Sequence, residues 1–349
     1  MKVLLVFMVI LTAVAYYGLA ERRFSAFMQD RLGPNRCGPQ GLIQPLADGI
    51  KFFFKEDVIP NHVDKTLYIL APVLTVVPAF VTFAVVPFGT SVKVLGNDMQ
   101  LQIADFNIGI LYILGIVSLG VYGVAIGGWA SRNKYSLMGG LRASAQMISY
   151  ELAMGLSIIG VLMVYETLSL RGMVEAQNAY ISWAPFIPKW GFIVQPLGCI
   201  IFIIAAFAET NRVPFDVPEA EAEIVAGYHL EYSSMKFALF MMGEYSNMVT
   251  SAAVMTTLFF GGYLFPCVWV NNWIMSQHGA VAALMFIGIF TVKAGFFAFL
   301  FIWVRWTLPR FRYDRVMQIG WRVLLPLALL NIVLTGLYYL IKWSLVMKG

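Results

Sequence analysis

Eight stretches of this chain are long and apolar enough to cross a lipid bilayer. They lie at about 2–20, 67–89, 108–130, 144–165, 192–209, 235–262, 280–306 and 320–343. A span needs about 20 largely apolar residues. The expected fold is therefore an all-α polytopic membrane protein with eight transmembrane helices. Composition excludes the alternative. The 349 residues are 60% hydrophobic and 12% charged, against about 45–50% and 25% in a soluble domain. That little charge cannot cover a soluble surface. The first stretch carries Lys2 and the small-residue tripeptide Ala13-Val14-Ala15. Its apolar run is long for a signal peptide, and it is read as a retained helix.

Eight spans put both termini on one side. Of the 24 Lys and Arg, 17 fall in or beside one set of loops and 6 on the other side, while Lys293 lies inside a span. The positive-inside rule assigns the rich side to the cytoplasm and both termini to the outside. A seven-span chain would mix the two sets. Trp183 and Trp190, Trp269 and Trp273, and Trp303 and Trp306 fall near the expected interfaces, where indole rings anchor spans. No fixed-period repeat or low-complexity tract is visible, so 1–349 reads as a single membrane domain.

Redox and metal chemistry have no ligand set in this sequence. Cys37, Cys199 and Cys267 are far apart, and His62, His229 and His278 do not cluster with them. No zinc site or cysteine-held iron–sulfur cluster is expected. Glycine-rich nucleotide loops are also missing. If the protein serves redox chemistry, the cofactors sit in other chains.

The distinctive loops are cytoplasmic. The first, 21–66, contains Leu42, Ile43, Leu46, Ile50, Phe53 and Phe54 at helical spacing, with Lys51 and Lys55 beside them. This pattern predicts an amphipathic helix over 42–54 at the membrane surface. Its plain reading is an interfacial anchor; its functional reading is the wall of a cleft that opens toward lipid. The third loop, 210–234 with its flanks, sets Glu209, Asp216, Glu219, Glu221, Glu223 and Glu231 against Arg212 alone. Such a run must be solvated, paired with another chain, or protonated. If it is helical after Pro218, Glu219 and Glu223 share a face and Glu221 points elsewhere.

Three ionisable residues fall within the spans. Glu151 is about 10 Å from the end of its helix, counted from Ser144, and Lys293 is about 18 Å deep. Glu244 lies about a third of the way along the sixth span. Each costs roughly 2.5–3.5 kcal/mol if it faces lipid while charged, so all three should face the interior. One reading is a buried Glu244–Lys293 pair that fixes packing. The other is a protonatable chain from the acidic loop through Glu231 and Glu244 to Lys293. The residues alone thus suggest proton or cation handling and name no substrate.

Two strings name a family. ERRFSAFMQDRLGPNRCGPQGLIQPLADGIKFFFKED and AETNRVPFDVPEAEAEIVAGYHLEYSSMKFALFMMGEY closely resemble the quinone-pocket membrane subunit of respiratory complex I, the H subunit in bacteria and the counterpart of mitochondrially encoded subunit 1. FIWVRWTLPRFRYDRVMQIGW and SAQMISYELAMGLS match the same family's last cytoplasmic loop and fourth span. The resemblance runs in order from residue 21 to about 322. The acidic loop is closer to the NADH–quinone enzymes than to the family's hydrogenase-linked or other donor-linked relatives.

The resemblance implies a subunit of a proton-translocating NADH:quinone oxidoreductase, a translocase of the bacterial inner membrane. In that family this subunit forms the membrane side of a quinone chamber, and peripheral-arm subunits build the rest. Glu21, Glu151, Glu209, Glu219, Glu221, Glu223, Glu231 and Glu244 fall where the family has an acidic funnel. Arg22, with Arg305 and Arg310 in the basic loop 305–315, falls beside the chamber. Asp48 and the amphipathic helix carrying Phe53 fall at its lipid-side mouth. The implied substrate is a quinone, ubiquinone or menaquinone, with no group bound covalently. FMN and iron–sulfur clusters are expected in partner subunits. Other complex I subunits, including small membrane ones, and lipid are the expected partners; nucleic acid is not. Two other classes compete. A stand-alone ion transporter usually shows repeated halves and broken helices at mid-membrane, and neither is visible here. A docking scaffold would use the charged loops only to hold soluble partners.

Overall fold

The computed structural model describes residues 2–94, 97–181, 184–217, 224–277 and 279–346. The fold is helical. Among the described residues, strands occur only as two small hairpins, Val92–Val94 with Asn97–Met99 and Tyr180–Ile181 with Ala184–Pro188.

The first helix, α1 (Lys2–Met28), runs well past the expected end at residue 20. Nothing between Leu19 and Met28 breaks a helix, and the chain turns only at Asp30, with φ 52°. Glu21 and Arg22 therefore stand on a helix rather than in a loop. The amphipathic helix is α2 (Gln44–Phe54), close to the expected 42–54, with Pro45 in its first turn. Helix α3 (Lys65–Val81) is capped by the Asp64 carboxylate, which accepts from the Leu67 amide, and it runs into a tight turn, Thr82–Val85. Then come α4 (Gly109–Ala130) and α5 (Lys134–Tyr165). The latter starts ten residues before the expected 144. Segment 134–143 is too polar to count as a span, yet Asn133 caps it by accepting from the Tyr135 amide.

Short α6 (Leu170–Gln177) and α7 (Gly191–Val194) precede α8 (Pro196–Glu209). The expected span 192–209 is thus broken at Gln195, whose side-chain amide donates to the Thr335 hydroxyl at 2.8 Å. The rest comprises α9 (Ser234–Phe259), α10 (Val268–Met275), α11 (Gly279–Thr307), α12 (Tyr313–Gln318), a π-helical turn at Ile319–Leu324, and α13 (Leu325–Val346).

Among the described residues, six stretches are both long and apolar enough to cross a membrane. They are α1, α3 with its tight turn, α4, α5, α11, and the run from α12 into α13. The other two expected spans differ for separate reasons. Helix α8 has 14 residues, about 21 Å of helix. Helix α9 has 26 residues but carries Lys236, Glu244 and several Ser, Thr and Asn. Lipid-facing side chains such as Leu4, Leu284 and Leu340 are exposed around the bundle. Tyr150, Phe202, Phe259, Phe286 and Phe301 fill its interior.

Small residues set the helix spacing, as they do in membrane bundles generally. A Cβ on Gly123 of α4 would sit 2.3 Å from the Thr75 hydroxyl of α3. One on Gly139 of α5 would sit 2.6 Å from the Gly227 Cα. That second contact lays the end of the acidic loop directly on α5 and fixes the position of Tyr228 and His229.

Candidate functional site

A cavity of about 230 Å³ lies beneath α2, between α1 and α9. Arg22, Asp48, Phe53, Met241, Met242 and Tyr245 are among its walls. The exposed apolar side chains of α2 (Leu46, Ile50 and Phe54) cover the neighbouring surface. Its inner wall leads into a buried network. The Tyr245 hydroxyl donates to Glu21 at 2.7 Å, and the other Glu21 oxygen pairs with Arg305. The Arg212 guanidinium lies 4.6 Å from the Tyr245 ring centre and 3.7 Å from Glu244. The Tyr228 hydroxyl donates to the other Glu244 oxygen at 2.7 Å. The order from the cavity inward is thus Tyr245, Arg212, Glu244, Tyr228, with Glu21 and Arg305 to one side.

Glu21, Arg212 and Glu244 are all buried. Taking ions out of water costs several kcal/mol each unless they are well paired, and here each has an opposite charge and a hydroxyl or ring beside it. The basic loop closes the same region. Arg310 pairs with buried Asp216 at 2.6 Å, and the Phe311 amide donates to the Pro214 carbonyl at 2.9 Å.

The remaining expected site residues are dispersed. Arg22 donates to Asp48 at 2.6 Å at the rim of the cavity. Glu231 accepts from the Asn133 side chain at 2.6 Å, and its carbonyl accepts from Tyr68 at 2.6 Å. Tyr232 stacks on Tyr68 at 4.1 Å. Burial, with Tyr68 beside it, pushes the Tyr232 hydroxyl above its usual range. Glu151 and Glu209 come together elsewhere: both line a cavity of about 30 Å³ among α4, α5, α8 and α9. Glu219, Glu221 and Glu223, with the expected helix after Pro218, lie outside the described residues.

Lys293 stands apart. Its ammonium donates to the carbonyls of Phe260 at 2.7 Å, Gly262 at 3.2 Å and Leu264, and it lies 4.2 Å from the Trp190 ring centre. Phe260 follows Glu244 by 16 residues, about 24 Å along a helix. The Glu244–Lys293 contact considered from the sequence is not formed, because the carboxylate of Glu244 faces Arg212 instead. Arg305 and Arg310 reach the network as partners of Glu21 and Asp216, and neither lines the cavity.

Sequence reasoning missed Tyr245, Tyr228, Gln44 and the central place of Arg212. One signal was available: Tyr245 directly follows Glu244, and Arg212 is the lone cation among six acids.

Fold and site together define a class: a multi-pass helical membrane protein whose surface cavity shares a wall with a buried, ion-paired acid network. Among the described residues no cluster of His, Cys, Asp and Glu could hold a metal. The family described as NADH dehydrogenase matches residues 1–336, and the chain belongs to it. The chain is 51% identical to the NADH-quinone oxidoreductase H subunit (form 1) of Cytophaga hutchinsonii, covering 95% of this chain and 93% of that protein. It is 48% identical to the NADH-quinone oxidoreductase H subunit of Flavobacterium johnsoniae, covering 96% and 93%. The corresponding H subunit (form 1) of Geobacter sulfurreducens is 49% identical over 96% and 93%.

Proposed function

We propose that this chain works as the H subunit of an NADH:quinone oxidoreductase, forming the membrane side of the quinone site and passing the charge change of quinone reduction into the membrane. One observation carries the reading: Tyr245 lines the cavity and also bonds to Glu21 and stacks under Arg212. A ligand in the cavity is therefore one side chain away from two ion pairs whose carboxylates are buried.

Reduction of a quinone to a quinol takes two electrons and two protons. Electrons come from redox groups in partner subunits. Negative charge gathering on the head group attracts the cation behind Tyr245, Arg212. An Arg212 drawn toward the cavity leaves Glu244 less compensated, and a buried carboxylate without its cation takes up a proton. The Tyr228 hydroxyl donates to that carboxylate and the Tyr245 hydroxyl to Glu21, so each acid has a hydroxyl within bonding distance through which a proton could pass. Moving one charge against 100 mV costs about 2.3 kcal/mol. Loss of a single buried pairing is of that order. Glu151, Glu209 and Glu231 would extend the path, together with the acids of 218–223. Both α8 and α9 cross the membrane in this reading, giving eight crossings. Following the positive-inside rule, both termini lie outside and the cavity end faces the cytoplasm.

A photoreactive quinone analogue tests the site in the intact complex. Crosslinks should fall on α1, α2 and α9, with labelling suppressed by excess quinone. Labelling confined to other chains would remove the cavity from the reaction and leave a docking role.

A further inference from the structure

The cavity has a polar tie on its rim that the buried network does not use. Arg22 on α1 donates to one Asp48 oxygen on α2 at 2.6 Å, and Gln44 donates to the other at 3.2 Å. All three residues line the cavity. Arg22 is 52% exposed and Asp48 24%, so the tie sits where the cavity reaches the surface.

Little else holds α2. None of its 11 residues is buried. Its C-terminal end is fixed, because the Ser234 hydroxyl donates to the carbonyls of Phe52 at 3.0 Å and Lys55 at 2.8 Å. Just beyond, Lys236 pairs with Asp57. Its N-terminal end follows a tight turn with Gly38 and Gly41 at φ 73° and 74°. The helix is thus pinned at one end and clasped near the other by Asp48, the fifth residue. The volume between the walls, about 230 Å³, is below the roughly 300–1,000 Å³ of pockets that enclose a drug-sized ligand. A head group with a long tail needs the walls further apart.

We propose that the Arg22–Asp48 pair, supported by Gln44, is a latch on the lipid-side mouth of the cavity: closed, it holds α2 against α1, and parted, it lets α2 swing about its Ser234-pinned end to admit an isoprenoid-tailed head group. This rests on the reading of the cavity as a quinone site. A partly exposed Arg–Asp pair at a surface rim is a weak, reversible tie, unlike the buried pair of Arg212 and Glu244. Arg22 and Asp48 then act as positioning residues for α2, and direct contact with the head group is not their role.

The test uses the assembled complex in vesicles with Cys37→Ser and Cys267→Ser, since Cys199 is buried. Arg22→Cys and Asp48→Cys are joined by a reducible bifunctional thiosulfonate. Turnover with a long-tailed membrane quinone should fall severalfold when bridged, since a lid that cannot open limits turnover, and return on reduction. Electron transfer to a water-soluble metal-complex acceptor should not change. Separately, the double exchange Arg22→Asp with Asp48→Arg should restore more turnover than either single change, a recovery that a cation holding an anionic head group would not show. Unchanged turnover on bridging, or an exchange no better than its singles, overturns the latch. If the quinone photoprobe still labels the cavity in that case, the latch alone fails. If the probe labels nothing on α1, α2 or α9, the site reading fails and the latch with it.

Discussion

The two ends of the bundle hold their inward-facing cations in different ways. Beside the cavity, Arg212 and Arg305 face the carboxylates of Glu244 and Glu21. At the other end of α9, Lys293 faces three backbone carbonyls and an indole ring. Helix ends leave carbonyls without partners, and a cation near them is favourable. Lys293 of the neighbouring α11 thus ties down the turn that follows α9. The difference is chemical. A carboxylate can gain or lose a proton, so its pair with arginine can change charge. A carbonyl cannot, so at that end only the lysine itself could change charge.

This contrast can be broken by substitution. The largest effect should come from Arg212→Met, which leaves Glu244 buried without its cation. Removing one partner of a buried pair costs about 3–5 kcal/mol, so the expected outcome is a sharp loss of assembled complex, read by native gel and quinone reductase activity. Normal assembly would mean that Glu244 does not depend on this pair. Lys293→Met should come next, costing about 1–3 kcal/mol for the carbonyls left unmet. It should lower the melting temperature of the complex while turnover per assembled complex falls less than with changes at the cavity end. Abolished turnover at unchanged stability would place Lys293 on the proton path and erase the division between the two ends. The smallest effect should be that of Tyr245→Phe. It keeps the ring under Arg212 and removes one hydrogen bond to Glu21, about 0.5–1.5 kcal/mol. A severalfold rise in KM for quinone, with little change in stability, is expected. A KM that does not move would separate the cavity from the network.

Much of this arrangement is legible in the sequence, and what is not has physical reasons. The apolar runs locate the helices, since length and hydropathy are local properties. They mislead where polar residues are helical, as in 134–143, whose helix is secured by an Asn133 cap and by glycine contacts to 227. They also overrun Gln195, whose break is tied to Thr335 on a distant helix. Glu244 stands out because a carboxylate within a span must have a partner. That the partner is Arg212 rather than Lys293 depends on how far apart the folded chain places them, which no spacing rule contains. Arg22, Asp48 and Phe53 line one cavity, which no spacing rule contains either, and the Arg22–Asp48 contact is a tertiary fact of the same kind.

The central claim is that the ion pairs behind Tyr245 carry the charge change of quinone reduction into the membrane. It is tested most directly by Glu244→Gln in the assembled complex reconstituted into vesicles, with quinone reduction and proton pumping measured together. The side chain keeps its shape and its bond to Tyr228 and loses only the charge that answers Arg212. Coupled quinone reductase activity and pumping should both fall, on the order of tenfold or more if the carboxylate carries protons. A fully assembled complex with both rates unchanged would contradict the account.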